Sequence, residues 1–276
     1  MSGWLSRVRF LSVVCDVREM LDNDGVLPIS RRFGPPKEIM TLYSRIFEGI
    51  ESDSTTRKER AWKILSWMKL AEWEFPWDWD EMSEALAVDD DIVELKKDQR
   101  VDEWDIVESC RGLIIFDERS RKLSFAHRTI TDAFRSVKAL WHSWAGLPPV
   151  QLGKICLTYL NLKVFEAGPC NDRESFDARL RSLKFGRRAA QYWPKYVRGE
   201  GESSIEMARA VFAVVGSPKK REAMLQLAAP PQFSMNLSSF RQLTVLHVFA
   251  MNGLSRLCEM VLNEDGNRPC RRTLTI

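Results

Sequence analysis

Apolar residues recur at helical spacing over most of this chain and at strand spacing in one short stretch. Ile39, Leu42, Tyr43, Ile46, Phe47 and Ile50 fall at i, i+3, i+4, i+7, i+8 and i+11, which makes one face of a helix apolar; Gly34-Pro35-Pro36 marks its start. The spacing predicts a second helix over about 57–73, with Ala61, Ile64, Leu65 and Met68 inward. It ends at Phe75-Pro76-Trp77-Asp78-Trp79, where proline cannot continue the hydrogen-bond ladder. Two shorter helices are expected over 80–88 and 101–110, separated by the acidic Asp89-Asp90-Asp91. Then the period changes. Leu113-Ile114-Ile115-Phe116 is β-prone, 117–121 is polar turn material, and Lys122-Leu123-Ser124-Phe125-Ala126 alternates, which predicts a two-stranded hairpin. A further helix is expected over about 129–144.

Three helices, a β-hairpin and another helix follow one another in the order of a winged-helix domain, expected over about 55–140, or 35–145 with its lead-in helix. Beyond residue 146 no strand pattern returns. The segments 150–162, 175–183, 188–197, 205–215 and 220–227 suit helices, interrupted by Gly168-Pro169, Gly199-Glu200-Gly201 and Pro230-Pro231. Near the end, Thr244-Val245-Leu246-His247-Val248-Phe249-Ala250-Met251-Asn252-Gly253-Leu254 sits close to the T-P-L-H-x-A opening of an ankyrin repeat. Thr244 and His247 would brace the turn and helix start, Leu246 and Ala250 would pack the first helix, and Gly253 would end it. Leu257, Met260, Val261 and Leu262 suit the second helix. Val245 stands where the motif has Pro, and Phe249 where it has the first Ala of a pair. The expected fold class is mainly α: a winged helix (three helices plus a β-hairpin), an all-α helical spacer over 146–240, and the start of an ankyrin repeat over 241–276.

Composition changes this picture little. The chain has 276 residues, 45% hydrophobic and 29% charged, with a formal charge of +3, so it supplies no large field for nucleic acid or anionic lipid. With 14 Phe and 10 Trp it can build a core rather than stay disordered. No window approaches the roughly 18 apolar residues of a membrane span. Over residues 1–20, Arg7 and Arg9 precede a short apolar run broken by Ser12 and ended by Asp16, which suits an amphipathic helix and not a secretory signal. Cysteines at 15, 110, 156, 170, 258 and 270 form no C-x-x-C; dispersed thiols of this kind fit structural, mostly buried roles in a cytoplasmic protein.

Several blocks in order resemble the fungal NLR-like (STAND, NACHT-type) proteins, in which a nucleotide-switch module precedes a winged helix, a helical spacer and ankyrin repeats. Gly3-Trp4-Leu5-Ser6-Arg7-Val8 looks like the tail of the nucleotide module, which places 1–34 as the tail of its helical region. Leu42-Tyr43-Ser44-Arg45-Ile46 is similar to L-x-x-x-Y-x-R-I-L, and 61–67 to A-x-x-I-L-x-W. Ala85-Leu86-Ala87-Val88 followed by 107–114 resembles E-A-L-A-V and then E-x-C-x-G-L-V. His127 opens the segment equivalent to H-x-S/T-V-x-E-Y-L, while Cys156-Leu157-Thr158-Tyr159-Leu160 and 185–193 resemble C-L-x-Y-L and F-x-x-Y-A-A-x-Y-W. The chain carries no G-x-x-x-x-G-K-[ST] phosphate cradle, so no cofactor is expected in it; ATP/ADP or GTP would belong to an intact relative. Related winged-helix segments take their label from a GPI inositol-deacylase, but no G-x-S-x-G elbow is present to carry that hydrolysis across.

The candidate chemistry is sparse. His127, His142 and His247 lie far apart and give no metal-ligand spacing. For His247 the expected role is structural, in the ankyrin turn. The resemblance implies that His127, just after the hairpin, is the remnant of a sensor that touches the phosphate of bound ADP; the alternative is a histidine bonded to local backbone at a helix start. Cys110 with His127 would supply a nucleophile and base, but no third orienting group or oxyanion site accompanies them, and no catalytic residue is assigned. Asp89-Asp90-Asp91 lacks the Gly and closing Glu of a calcium loop and reads as solvated.

As a DNA reader the winged helix is opposed by its own charge: residues 81–110 hold eleven acidic side chains against three basic ones. The basic concentration lies instead over 179–198, with seven Arg and Lys, no carboxylate, and Phe185, Tyr192, Trp193 and Tyr196 interleaved. That mixture suits single strands, although aromatics at helical spacing more often form core. Trp62, Trp67, Trp73, Trp77, Trp79 and Trp104 read mostly as core, with Trp73, Trp77 and Trp79 as an alternative contact ridge.

The expected function is a non-enzymatic protein-interaction and regulatory segment of such a signalling protein. The winged helix would act as switch clamp, and the ankyrin and helical region as the protein-binding sensor. Protein partners are expected, with no membrane and with nucleic acid disfavoured, and the oligomeric state stays open. The competing expectation is a degenerate or truncated gene product without independent activity; a nucleic-acid-binding winged helix ranks behind it.

Overall fold

The computed structural model describes residues 37–70, 76–89, 92–95, 101–127, 129–131, 134 and 148–266. The expected helix over 1–20 and most of that over 129–144 lie outside them, as do Cys15, Trp73, His142 and Cys270. The described chain is mainly α with one small three-stranded sheet. It divides into two compact units, Met1–Leu86 with Arg100–Leu147, and Ala87–Gln99 with Pro148–Ile276.

The first unit is built on α1 (Lys37–Glu51) and α2 (Thr55–Leu70). Tyr43, Phe47 and Ile50 bury the predicted face of α1. On α2 the expected Ala61, Ile64, Leu65 and Met68 are buried, and Trp62 and Trp67 with them, so the helix is enclosed on more than one side. Phe47 stacks on Trp62 at 5.9 Å between ring centroids and tilts against Phe134 at 5.4 Å.

A two-residue strand, β1 (Trp77–Asp78), follows where only a helix break was expected. β2 (Ile114–Asp117) and β3 (Lys122–Phe125) form the predicted hairpin, and β1 pairs with the far edge of β3, giving the antiparallel order β1-β3-β2. The sheet therefore has one strand more than the expected hairpin. Trp77 lies opposite Leu123, and both are buried. A strand of two residues has no alternation to read, which is why periodicity overlooks it.

α3 (Trp79–Leu86) starts where Asp78 Oδ1 accepts the Asp80 N–H at 2.9 Å. α4 (Glu103–Ser109) is capped in the same way by Asp102, which accepts the Trp104 N–H at 2.8 Å. Of the tryptophans, Trp62, Trp67 and Trp77 are core. Burial of Trp77 removes it from any contact ridge. Trp79 lies half-buried beneath the Arg121 guanidinium, 4.7 Å from its ring centroid, and Trp104 is 50% exposed, against the expectation of core.

From residue 148 the described part of the second unit is built of helices: α5 (Pro149–Leu160), a 3-10 turn (Lys163–Ala167), α6 (Arg173–Ser182), α7 (Gly186–Val197) and a second 3-10 turn (Glu200–Ser203). Then come α8 (Ile205–Val215), α9 (Pro218–Ala228), α10 (Leu237–Gln242), α11 (Val245–Met251) and α12 (Ser255–Gly266). Each predicted helix appears, while α10 and the two 3-10 turns are too short for a periodic signal. Tyr159 centres one cluster, edge-on to Phe185 at 5.1 Å and tilted to Phe165 at 6.3 Å. Phe212 and Phe249 meet edge-to-face at 5.5 Å, tying α11 to α8.

Candidate functional site

His127 follows β3 and stands at the start of the helical residues 129–131. The Thr129 N–H donates to His127 Nδ1 at 3.2 Å, and the His127 carbonyl accepts the Ile130 N–H at 3.1 Å. An acceptor Nδ1 places the proton of the neutral ring on Nε2. Thr129 Oγ1 lies 2.9 Å from the same nitrogen and 2.6 Å from the Tyr43 hydroxyl. With Nδ1 accepting, the Thr129 hydroxyl donates to the ring and the Tyr43 hydroxyl donates to Thr129. The geometry thus makes His127 a helix cap whose ring orientation is fixed from α1.

Tyr43 and Thr129 are the neighbours that periodicity did not reveal. Tyr43 reads as apolar face, and the partner of its hydroxyl is 86 positions away.

The other candidate groups separate. Cys110 is fully enclosed, and burial pushes its thiol far up, so it stays protonated and is no nucleophile at neutral pH. Cys156 is shifted upward by the same cause, with Arg188 opposing it, and Cys170 is buried as well. Cys258 is half-buried, and desolvation, then Glu202 and Glu259, raise its thiol. Among the described residues no group of three or more His, Cys, Asp or Glu is gathered for a metal. No helix among them is long and apolar enough to cross a membrane.

At the end of the second unit, Thr244 and His247 brace each other. Thr244 Oγ1 accepts the His247 N–H at 3.4 Å, His247 Nδ1 accepts the Thr244 N–H at 3.2 Å, and the two side chains meet at 2.7 Å. This is the reciprocal arrangement of a capping box, with His in the place of Glu. α11 ends at Asn252, Gly253 takes φ +64°, a conformation with little cost for glycine, and α12 begins two residues later. Val248, Phe249, Leu254 and Leu257 are buried beneath the pair, whereas Met251 and Leu262 are 67% and 55% exposed.

The basic stretch 179–198 resolves into two parts. Phe185, Trp193 and Tyr196 are 0%, 1% and 3% exposed, so they are core rather than stacking platforms. Arg179 donates to the Gly168 carbonyl at 2.8 Å and Arg198 to the Asn252 carbonyl at 2.6 Å. Arg181 and Lys195 are exposed and Lys184 and Arg187 half-buried.

Comparison of the chain with protein-family models, with curated proteins and with solved structures returned no match.

Proposed function

We propose that this chain is a non-enzymatic protein-interaction and regulatory segment of a fungal NLR-like (STAND) signalling protein, comprising a winged helix, a helical spacer and the first helix pair of an ankyrin array. The observation that carries the reading is the turn at Thr244 and His247, where the two side chains cap one another ahead of a helix, a glycine at positive φ and a second helix. These are the roles that the T-P-L-H opening and the following glycine have in an ankyrin repeat. Support for the winged helix comes from the succession α2, β1, α3, α4, β2, β3 and from the sheet order β1-β3-β2. The exposed Met251 and Leu262 suit a helix pair that stacks against a neighbour or a partner.

In this reading the winged helix clamps a nucleotide module and the ankyrin region senses a protein ligand. Binding to the sensor would release the clamp through a difference in affinity between closed and open states. His127 is the group that would meet the phosphate in an intact relative. DNA reading is disfavoured. α4 presents Glu103, Asp105 and Glu108 where phosphates would approach, although Arg60 and Arg57 pair with the last two at 2.8 and 2.9 Å.

The test is to sequence the transcript across this locus. An in-frame phosphate-binding loop upstream and further repeats downstream are the expected result; a transcript with neither overturns the switch reading.

A further inference from the structure

We propose that the exposed face of α7, with the turn that leads into it, is a docking surface for an acidic helical segment of another protein. Arg181 near the end of α6, Lys184 in the connection, and Arg187 and Lys195 on α7 supply its charge. Arg187 and Lys195 lie at i and i+8, about 12 Å apart at ~1.5 Å per residue, with the uncharged Gln191, bonded to the Ala228 carbonyl, between them. The opposite face of α7 is committed to the core through Ala189, Ala190, Trp193 and Val197, so this row faces away from it.

The four cations lack carboxylate partners among the described residues. Elsewhere in the same unit Lys220 pairs with Glu166 at 3.5 Å and Arg173 with Asp177 at 3.0 Å. From 178 to 199 the sequence holds no Asp or Glu. A partly exposed guanidinium such as that of Arg187 takes a carboxylate in a two-point fork, which suits an acidic partner.

Carboxylates eight residues apart on a helix stand roughly 12 Å from one another, which matches the separation of Arg187 and Lys195. A nucleic-acid single strand would need exposed aromatic faces between the cations. Here Phe185, Trp193 and Tyr196 are buried and Tyr192 is half-buried, so the acidic protein segment is the favoured occupant. The surface rests on the protein-binding reading of the helical region for the class of its partner, and it is tested without reference to any nucleotide module.

The experiment uses the full chain and fluorescence anisotropy. The probes are a labelled alanine-based helical peptide with Glu at every fourth position, its Glu→Gln counterpart and a labelled oligothymidylate. The Glu peptide is expected to bind saturably, to weaken as salt rises, and to lose roughly tenfold or more in affinity in Arg187→Glu/Lys195→Glu. Arg209→Glu/Lys219→Glu makes the same charge change at exposed positions outside the row and should leave affinity within about twofold. Circular dichroism checks that each variant folds; if the reversal does not, Arg187→Gln/Lys195→Gln replaces it. Tighter binding of oligothymidylate than of peptide, absence of saturable peptide binding, or equal weakening by both double variants overturns the proposal. None of these results bears on the transcript test.

Discussion

The Glu202 carboxylate caps the helix that begins beside Arg256: its Oε2 accepts the Arg256 N–H at 3.0 Å, across 54 positions of sequence. Its other oxygen accepts the Gly199 N–H at 3.0 Å, closing the 3-10 turn that carries it. Glu202 is 6% exposed, and a carboxylate so placed also meets the positive end of the α12 dipole. One side chain therefore joins the helical spacer to the terminal pair. Glu202→Ala leaves two N–H groups unmet and is expected to cost about 1–3 kcal/mol in urea denaturation. Amide exchange should quicken at Gly199 and Arg256. Glu202→Gln keeps an acceptor for one of them and should lose less.

Gln226 is a second long-range fastener. Its Oε1 accepts the Cys170 N–H at 2.8 Å and its Nε2 donates to the Cys170 carbonyl at 2.9 Å, with the amide fully buried. The loop after Gly168-Pro169 thus finds in one side chain both partners it lacks in its own backbone. Gln226→Leu would strand both backbone groups and is expected to cost about 2–4 kcal/mol, read from the urea midpoint. Gln226→Glu keeps the acceptor and loses the donor while burying a charge, so it should be at least as harmful.

The helices were legible in the sequence because burial writes a period into the chain. Tyr43, Phe47 and Ile50 of α1, and Ala61, Ile64 and Leu65 of α2, are buried as their spacing implies. The hairpin was legible from alternation and the Thr244 cap from a motif, but the motif misplaced the packed face of that helix: Ala250 is exposed and Leu246 half-buried, while Val248 and Phe249 are buried. β1 was not legible, because two residues next to Pro76 carry a break signal and no period. Trp104 misled, since hydrophobicity alone does not say which side of a short helix packs. Glu202, Gln226 and the Tyr43–Thr129–His127 chain were beyond reach, because each joins residues that only the fold brings together. At the candidate site the sequence singled out His127 but not the two hydroxyls that orient it.

That orientation separates capping from sensing. Asparagine can accept from the Thr129 N–H as Nδ1 does, so His127→Asn should stay near wild-type stability, whereas His127→Ala should lose about 1 kcal/mol. Thermal unfolding checks both. In an intact switch protein, His127→Asn would keep the cap and remove the imidazole. ADP retention that falls in this variant while stability holds would assign His127 to the nucleotide; unchanged retention would leave it a cap.

Asp172 gives the acid response of α6. Its Oδ1 accepts the Ser175 N–H at 2.8 Å and its Oδ2 the Ser175 hydroxyl at 2.9 Å. The backbone hydrogen bond from Ser175, then that from its hydroxyl, hold the carboxyl below its ordinary value. A depressed value in the folded state means that the unfolded chain binds the proton more tightly. The carboxylate's contribution is therefore complete above the unfolded value of ~3.9 and is lost as pH falls through the lower folded value. Asp172→Asn can still accept from Ser175 and has no proton to gain. The stability difference between wild type and Asp172→Asn should stay flat from neutral pH down to about 5 and shift against wild type below ~4. Urea midpoints measured across that range, or amide exchange at Ser175, would read it; a difference independent of pH throughout would mean that the charge on Asp172 contributes nothing to the cap.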